Sequence, residues 1–265
     1  MPYAGVNGQR LYYEIAGDGD LVLLIHGSFA DADLLEAPAT GVSSGFRALR
    51  IDRRGHGRSG ELKEPVAMAD EVADLTALLD WFSVGPAHLL GHDDGADVAI
   101  AFALAHPDRT LSLALLSPTV EGYPWSAEAA VARSTFLKAF ASDPARTIEE
   151  RFLTSPAFDV AREREGVFDR LADLYRRAKA SGSSLGRPSH KGATAFERLG
   201  TIRAKTGVFV GERDKPERLT CAAEIAHRIP GATLTAFPGL SRFFHIEDPR
   251  AVMRKLNDFY LPDAE

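Results

Sequence analysis

The chain reads as an α/β protein with a mostly parallel central sheet flanked by helices and carrying an inserted helical cap. Short apolar runs such as Leu21–Ile25 and residues 87–90 alternate with helical patterns through the first 118 residues. Each run ends in a loop rich in Gly and charged side chains, where parallel sheets place their ligand sites. From about Thr119 to Gly200 only helical patches occur, and strand patterns resume at Gly207.

In order along the chain, residues 3–6 and 10–15 flank Asn7-Gly8, a two-residue turn signal, and predict a hairpin. Residues 21–25 predict a strand buried on both faces, ending in His26-Gly27-Ser28-Phe29. Residues 48–51 predict another, followed by a loop over 52–59 in which Arg54 and His56 are expected to bond backbone. Val72, Leu75, Leu79 and Phe82 recur at helical spacing. Residues 87–90 form the next strand, and the nearly all-apolar 94–106 predicts a central, covered helix. A strand at 111–116 precedes helical patches at 127–140, 148–153 and 167–178 and a loop at 181–186. Residues 207–210 resume the sheet, ending in Gly211-Glu212-Arg213-Asp214. A helix at 220–229, a last strand at 232–237 and a closing helix at 249–260 with Pro in its first turn complete the chain. The expected organisation is a core domain of residues 1–118 and 201–265 with a helical cap (lid) domain over 119–200.

The 265 residues suit one large domain with an insertion. A 45% apolar and 26% charged composition is that of a soluble globular protein. A net charge of −6, with no basic cluster interleaved with aromatics, argues against a nucleic-acid surface. No apolar stretch approaches the ~20 residues of a membrane span, and the N-terminus has no leader pattern, so neither membrane nor export is expected. Cys221 is the only cysteine, which excludes an intrachain disulfide and suggests a reducing, cytoplasmic setting. The histidines show no metal-ligand spacing, so no metal and no cofactor are expected. The expected partner is a small-molecule substrate or ligand; homodimerisation stays open.

The stretch Gly91-His92-Asp93-Asp94-Gly95 lies between a predicted strand and a predicted helix. That is the layout of a nucleophile elbow, a sharp turn that presents one side chain to a pocket. The presented residue is Asp93, and a carboxylate can attack carbon. Two literal G-x-S-x-G matches, at 41–45 and 182–186, lack a strand before them and read as loops.

The ordered set of His26-Gly27-Ser28-Phe29, the 52–59 loop, the elbow, Gly211-Glu212-Arg213-Asp214 and Phe244-His245-Ile246-Glu247-Asp248-Pro249 resembles the α/β-hydrolase family along nearly the whole chain. The resemblance implies that Asp93 stands in the nucleophile's place, as in epoxide hydrolases and dehalogenases. There the carboxylate forms an ester with substrate carbon, which a histidine-activated water cleaves. It further implies an oxyanion hole from the backbone N–H of Asp94 with that of Ser28 or Phe29, and Asp214 as the triad acid. At the family's catalytic histidine this chain has Arg242, whose guanidinium gives up no proton at working pH. His245 falls on the signature's second histidine; it either replaces the base through a three-residue bulge or packs beneath the loop. The expected geometry sets Arg242 between Asp93 and Asp214, with both carboxylates held ionised.

His26 matches the family's structural histidine, and His92 lies beside the elbow. Tyr123 and Tyr175 are the cap tyrosines, either acids or packing residues, while Trp125, Phe136 and Phe140 line the pocket or the cap core. The expected function is an enzyme of this fold acting on a small, largely apolar organic substrate in a capped pocket at Asp93. Its Asp-Arg-Asp set is either hydrolase-like or suited to a cofactor-free, non-hydrolytic reaction. The alternative is a catalytically degenerate member that serves as a small-molecule binding protein.

Overall fold

The computed structural model describes residues 2–60, 62, 66–177 and 192–260. Its centre is one eight-stranded sheet in the order β1-β2-β4-β3-β5-β6-β7-β8. Strand β1 (Tyr3–Val6) and β2 (Gln9–Ala16) form the antiparallel hairpin, closed by Asn7 and Gly8 at φ 47° and 72°. Two successive positive φ values are what a two-residue turn needs to match strand twist. Strand β2 also pairs antiparallel with β4 (Arg47–Ile51). The other strands, β3 (Leu21–Ile25), β5 (Ala87–His92), β6 (Thr110–Leu116), β7 (Lys205–Gly211) and β8 (Thr233–Phe237), run parallel.

The period-two alternation of β3 divides the core. Leu21, Leu23 and Ile25 pack on one face with residues of α2 (Met68–Trp81), α3 (Asp94–Ala105) and α9 (Pro216–Arg228). Val22 and Leu24 pack on the other with α1 (Glu36–Val42), α10 (Phe244–Glu247) and α11 (Pro249–Tyr260). With helices on both faces, the central strands have no polar side to show water. Gly95 lets α3 approach β3, since a Cβ there would overlap the carbonyl oxygens of Ile25 and His26.

Between β6 and β7 lie α4 (Ala127–Ser142), α5 (Pro144–Thr147), a π-type turn at Ile148–Phe152, α6 (Asp159–Arg162), α7 (Val167–Arg177) and α8 (Ala195–Arg198). Phe140, Leu153, Phe158, Leu171 and Tyr175 form a third core, which joins Leu34, Phe243 and Ile246 of the sheet-bearing part. Helix α4 buries only Phe140, and Val131 on it is 66% exposed. The loop expected at 181–186 lies outside the described residues. Among those described, no helix is long and apolar enough to cross a membrane.

One element differs consequentially from expectation. The helix predicted at 220–229 begins four residues earlier, at Pro216. Proline is well placed at a helix's first position, where its missing N–H has no partner to lose. The earlier start brings residue 218 into the first turn, facing the elbow.

Candidate functional site

The elbow is built by backbone constraint. Asp93 adopts φ 54°, ψ −122°, a left-handed conformation for a residue with a side chain. Such a conformation costs on the order of 1–3 kcal/mol and persists only where the surroundings enforce it. Here the Asp93 N–H donates to the Leu116 carbonyl at 3.0 Å, and its own carbonyl accepts from Ala96 at 3.0 Å. The side chain is thereby turned into a cavity of about 1260 Å³ between the sheet's C-terminal edge and α4.

Two guanidinium groups hold that carboxylate. Arg218 Nη2 donates to Oδ1 at 2.7 Å, and Arg242 Nη2 donates to Oδ2. All three side chains are at least 87% buried. Burial alone would push the Asp93 carboxyl up, but the two cations outweigh it and hold the group well below the usual carboxylate range. Arg218 also donates to the Ser117 carbonyl at 2.6 Å, and its Nε stands 3.4 Å from Asp214 Oδ2. Asp214 Oδ1 accepts the Lys215 N–H at 2.7 Å. The loop carrying Arg242 is fixed from behind, because Glu247 accepts both the N–H and the hydroxyl of Ser241.

Around this set, Asp94 accepts the hydroxyls of Ser28 and, at 3.2 Å, Thr119. Phe29, at φ 62°, packs its ring on Phe136, Phe140 and Phe152. The Asp94 N–H is at the first position of α3, where no intrahelical partner exists. The Lys215 amine is pushed down by burial and by the guanidiniums of Arg242 and Arg218.

The family model described as alpha/beta hydrolase fold matches residues 20–249. The chain belongs to the α/β-hydrolase-fold family. The chain is similar to the dihydrolipoyllysine-residue acetyltransferase component of the acetoin cleaving system of Cupriavidus necator. The two are 27% identical over 269 residues, covering 97% of this chain and 66% of that protein. It is 28% identical to the pimeloyl-[acyl-carrier protein] methyl ester esterase of Chromobacterium violaceum, over 88% of this chain and 91% of the esterase. Among solved structures, the enol-lactonase from Burkholderia xenovorans LB400 superposes with a TM-score of 0.80 at 25% identity, covering 97% of this chain and 99% of that one. Against the first of these relatives the chain spans just under two thirds of the length, and two others are matched over 44% and 39% of theirs.

Within this α/β-hydrolase fold, Ser28, Phe29, Asp93, Asp94, Trp125 and Arg242 line the cavity. Several expectations need correction. Arg242 does not bridge two carboxylates; the arginine reaching both Asp93 and Asp214 is Arg218. Asp214 does not line the cavity, because it sits behind Arg218 and Lys215. No described residue lining the cavity is a histidine. His245 lies within α10, fully buried, with its ring 4.7 Å from that of His92, and both are kept neutral by burial. His92 Nε2 is 3.2 Å from the Arg242 carbonyl, beneath the pocket floor. His26 is likewise internal: its Nε2 accepts the Arg53 N–H at 3.0 Å and its Nδ1 bonds the Gly27 carbonyl at 2.7 Å.

Neither cap tyrosine lines the cavity. Tyr123 packs edge-on against Trp125 and Phe196, and Tyr175 is enclosed by Phe152, Phe158 and Phe243 with its hydroxyl pushed up by burial. Arg54 pairs with Asp74 instead of backbone, while His56 does bond the Arg54 carbonyl. The 41–45 serine motif ends α1 and turns toward β4. Sequence reasoning missed Arg218 and Lys215. The available signal was the spacing Asp214, Pro216, Arg218: a helix started by proline, with an acid and a base four residues apart.

Proposed function

We propose that this α/β-hydrolase-fold protein is a cofactor-free enzyme for a small, largely apolar organic substrate that works without an ester on Asp93. The observation that carries this is the double guanidinium grip on Asp93 in a cavity with no histidine among its described lining residues. Attack by Asp93 on carbon would have to break charge-assisted bonds from Arg218 and Arg242. An ester formed there would also lack a base to activate water, since a guanidinium cannot take that role. What the site offers instead is stabilisation of charge on a substrate oxygen. The backbone N–H groups of Phe29 and Asp94 flank the elbow, and polar donors of this kind act strongly in a pocket with apolar walls. Isomerisation, elimination or cyclisation of a carbonyl compound fits that inventory.

A second reading, a small-molecule binding protein, is favoured by the same depressed Asp93 carboxyl, which is a weak proton acceptor near neutral pH. Incubation with an epoxide, an activated haloalkane and a p-nitrophenyl ester, read by intact mass and product release, tests the proposal. Neither adduct nor hydrolysis is expected from the native protein. An Asp93 adduct, or histidine-free ester turnover, would overturn it. Hydrogen–deuterium exchange at the α-carbon of a panel of small ketones, followed by NMR, separates the two readings. Exchange above the buffer rate supports the enzyme; saturable binding with no exchange supports the receptor.

A further inference from the structure

We infer that the cavity takes an organic monocarboxylate, with the carboxylate held between Arg242 and Lys215 at the floor and the apolar part lying along α4. The inference rests on the proposal above that the cavity binds a small, largely apolar molecule, and it adds the head-group chemistry.

Arg242 is nine-tenths buried and lines the cavity, yet among the described residues its guanidinium makes a single side-chain bond, from Nη2 to Asp93. Its Nε is buried with no hydrogen-bond partner. A guanidinium has five N–H donors, and leaving buried donors unmatched costs about 1–3 kcal/mol. Lys215 lines the same cavity, and its amine has no ion-pair or hydrogen-bond partner among the described residues. Two cationic groups with spare donors therefore share one cavity.

The nearby acids do not cancel them. Both oxygens of Asp93 are occupied by the arginines, and Asp94 is turned to the hydroxyls of Ser28 and Thr119. Asp214 is engaged by Arg218 and by the Lys215 backbone. Six cationic and four acidic side chains line the cavity, in a chain whose formal net charge is −6. That inversion of sign would concentrate a small anion at the site. Glu128 on α4 and Glu217 on α9 also line it, and a dianionic phosphate would meet these as well as Asp93 and Asp94. One delocalised negative charge with two acceptor oxygens is the better match to a guanidinium and an ammonium. Phe29, Trp125, Phe136, Phe152 and Ala157 supply the apolar wall for the rest of the molecule.

Isothermal titration of the whole protein at neutral pH with octanoate, octanol and octylamine tests the head group. Octanoate is expected to bind at least roughly tenfold more tightly than octanol, and octylamine more weakly than either. Lys215→Met is expected to weaken octanoate about tenfold and leave octanol unchanged, with Lys215→Arg retaining most of the affinity. The Lys215 side chain has no hydrogen-bond or ion-pair partner among the described residues, so these variants are expected to fold; a matching urea midpoint checks this. Equal binding of octanoate and octanol, or octanoate affinity unmoved in Lys215→Met, overturns the carboxylate assignment and leaves the apolar pocket standing. Failure of all three ligands to bind overturns the pocket reading, and the inference with it.

Discussion

Replacing Arg218 by Met keeps the apolar stem and removes the guanidinium that joins Asp93, Asp214 and the Ser117 carbonyl. Taking one partner from a buried ion pair typically costs about 3–5 kcal/mol, because the other charge stays buried. Asp93 would keep Arg242, which offsets part of that loss. Asp214 Oδ2 would lose its guanidinium partner, and the Ser117 carbonyl a donor worth about 1 kcal/mol. The expected cost is about 3 kcal/mol at pH 7, or a fall in Tm of roughly 6–12 °C for a chain of this size. Arg242→Met, which releases Asp93 alone, is expected to cost less. Urea unfolding followed by fluorescence and circular dichroism measures both variants. Repeating the Arg218 substitution in an Asp93→Asn background closes a double-mutant cycle, with an expected coupling above about 1 kcal/mol. A cost below about 1 kcal/mol for Arg218→Met, or no coupling to Asp93, would refute the picture of a cross-braced carboxylate.

Three further outcomes follow from the same geometry. Because the arginines hold the native Asp93 carboxyl below its unfolded value, its contribution is complete above about pH 4 and is lost as pH falls further; the stability gap between native protein and Asp93→Asn is therefore flat from pH 7 to 5 and narrows in stronger acid, as urea midpoints would show. Asp31 is the opposite case. Burial, helped by Asp52 and Asp33, pushes it up to about 6, so the native state binds the extra proton and stability falls as pH rises from about 4 through 6. Asp31→Asn keeps an oxygen for the Asp33 N–H and should stabilise by about 1–2 kcal/mol at pH 7.5 and hardly at all at pH 4; equal effects at both pH values would argue against it. Gly95→Ala should cost more than about 3 kcal/mol or give insoluble protein, since the obstacle is backbone of β3 and cannot turn aside; a loss under 1 kcal/mol in a denaturation curve would be the contrary result.

The parallel sheet was legible because its signals are local and redundant. Leu21–Ile25 is apolar at every position, and the Gly91 to Gly95 turn sits between a strand and a helix. Arg242 at the pocket was legible from the order of the motifs, since position along a known frame fixes which loop a residue occupies. Its partner was not. The first turn of α9 reads as a polar surface segment, Pro216-Glu217-Arg218, and nothing in its pattern says that it faces inward. The roles of the histidines and tyrosines stayed open in the sequence for a related reason. His92, His245 and Tyr175 are chemically capable groups, but each is enclosed in the core, Tyr175 beside Leu171 and Leu174. A side chain's chemistry is not evidence of access, and access is a tertiary property.

The two arginines are best understood as one device. In a nucleophile–base–acid set the acid orients the base, and the base serves the nucleophile. Here Asp214 stands 3.4 Å from Arg218 Nε and accepts the Lys215 N–H, and it makes no hydrogen bond or ion pair with residue 242 among the described residues. Arg242 is oriented by Asp93 itself. A histidine introduced at position 242 alone would meet an Asp93 still paired to Arg218 and an Asp214 still engaged elsewhere. It would lack its acid, and the carboxylate would still carry a 2.7 Å charge-assisted bond that attack has to break. Removing Arg218 alone frees Asp214 but supplies no proton acceptor. On the proposed reading, covalent chemistry at Asp93 requires two changes together, Arg218→Leu with Arg242→His, because each arginine alone still pairs with the carboxylate on the elbow.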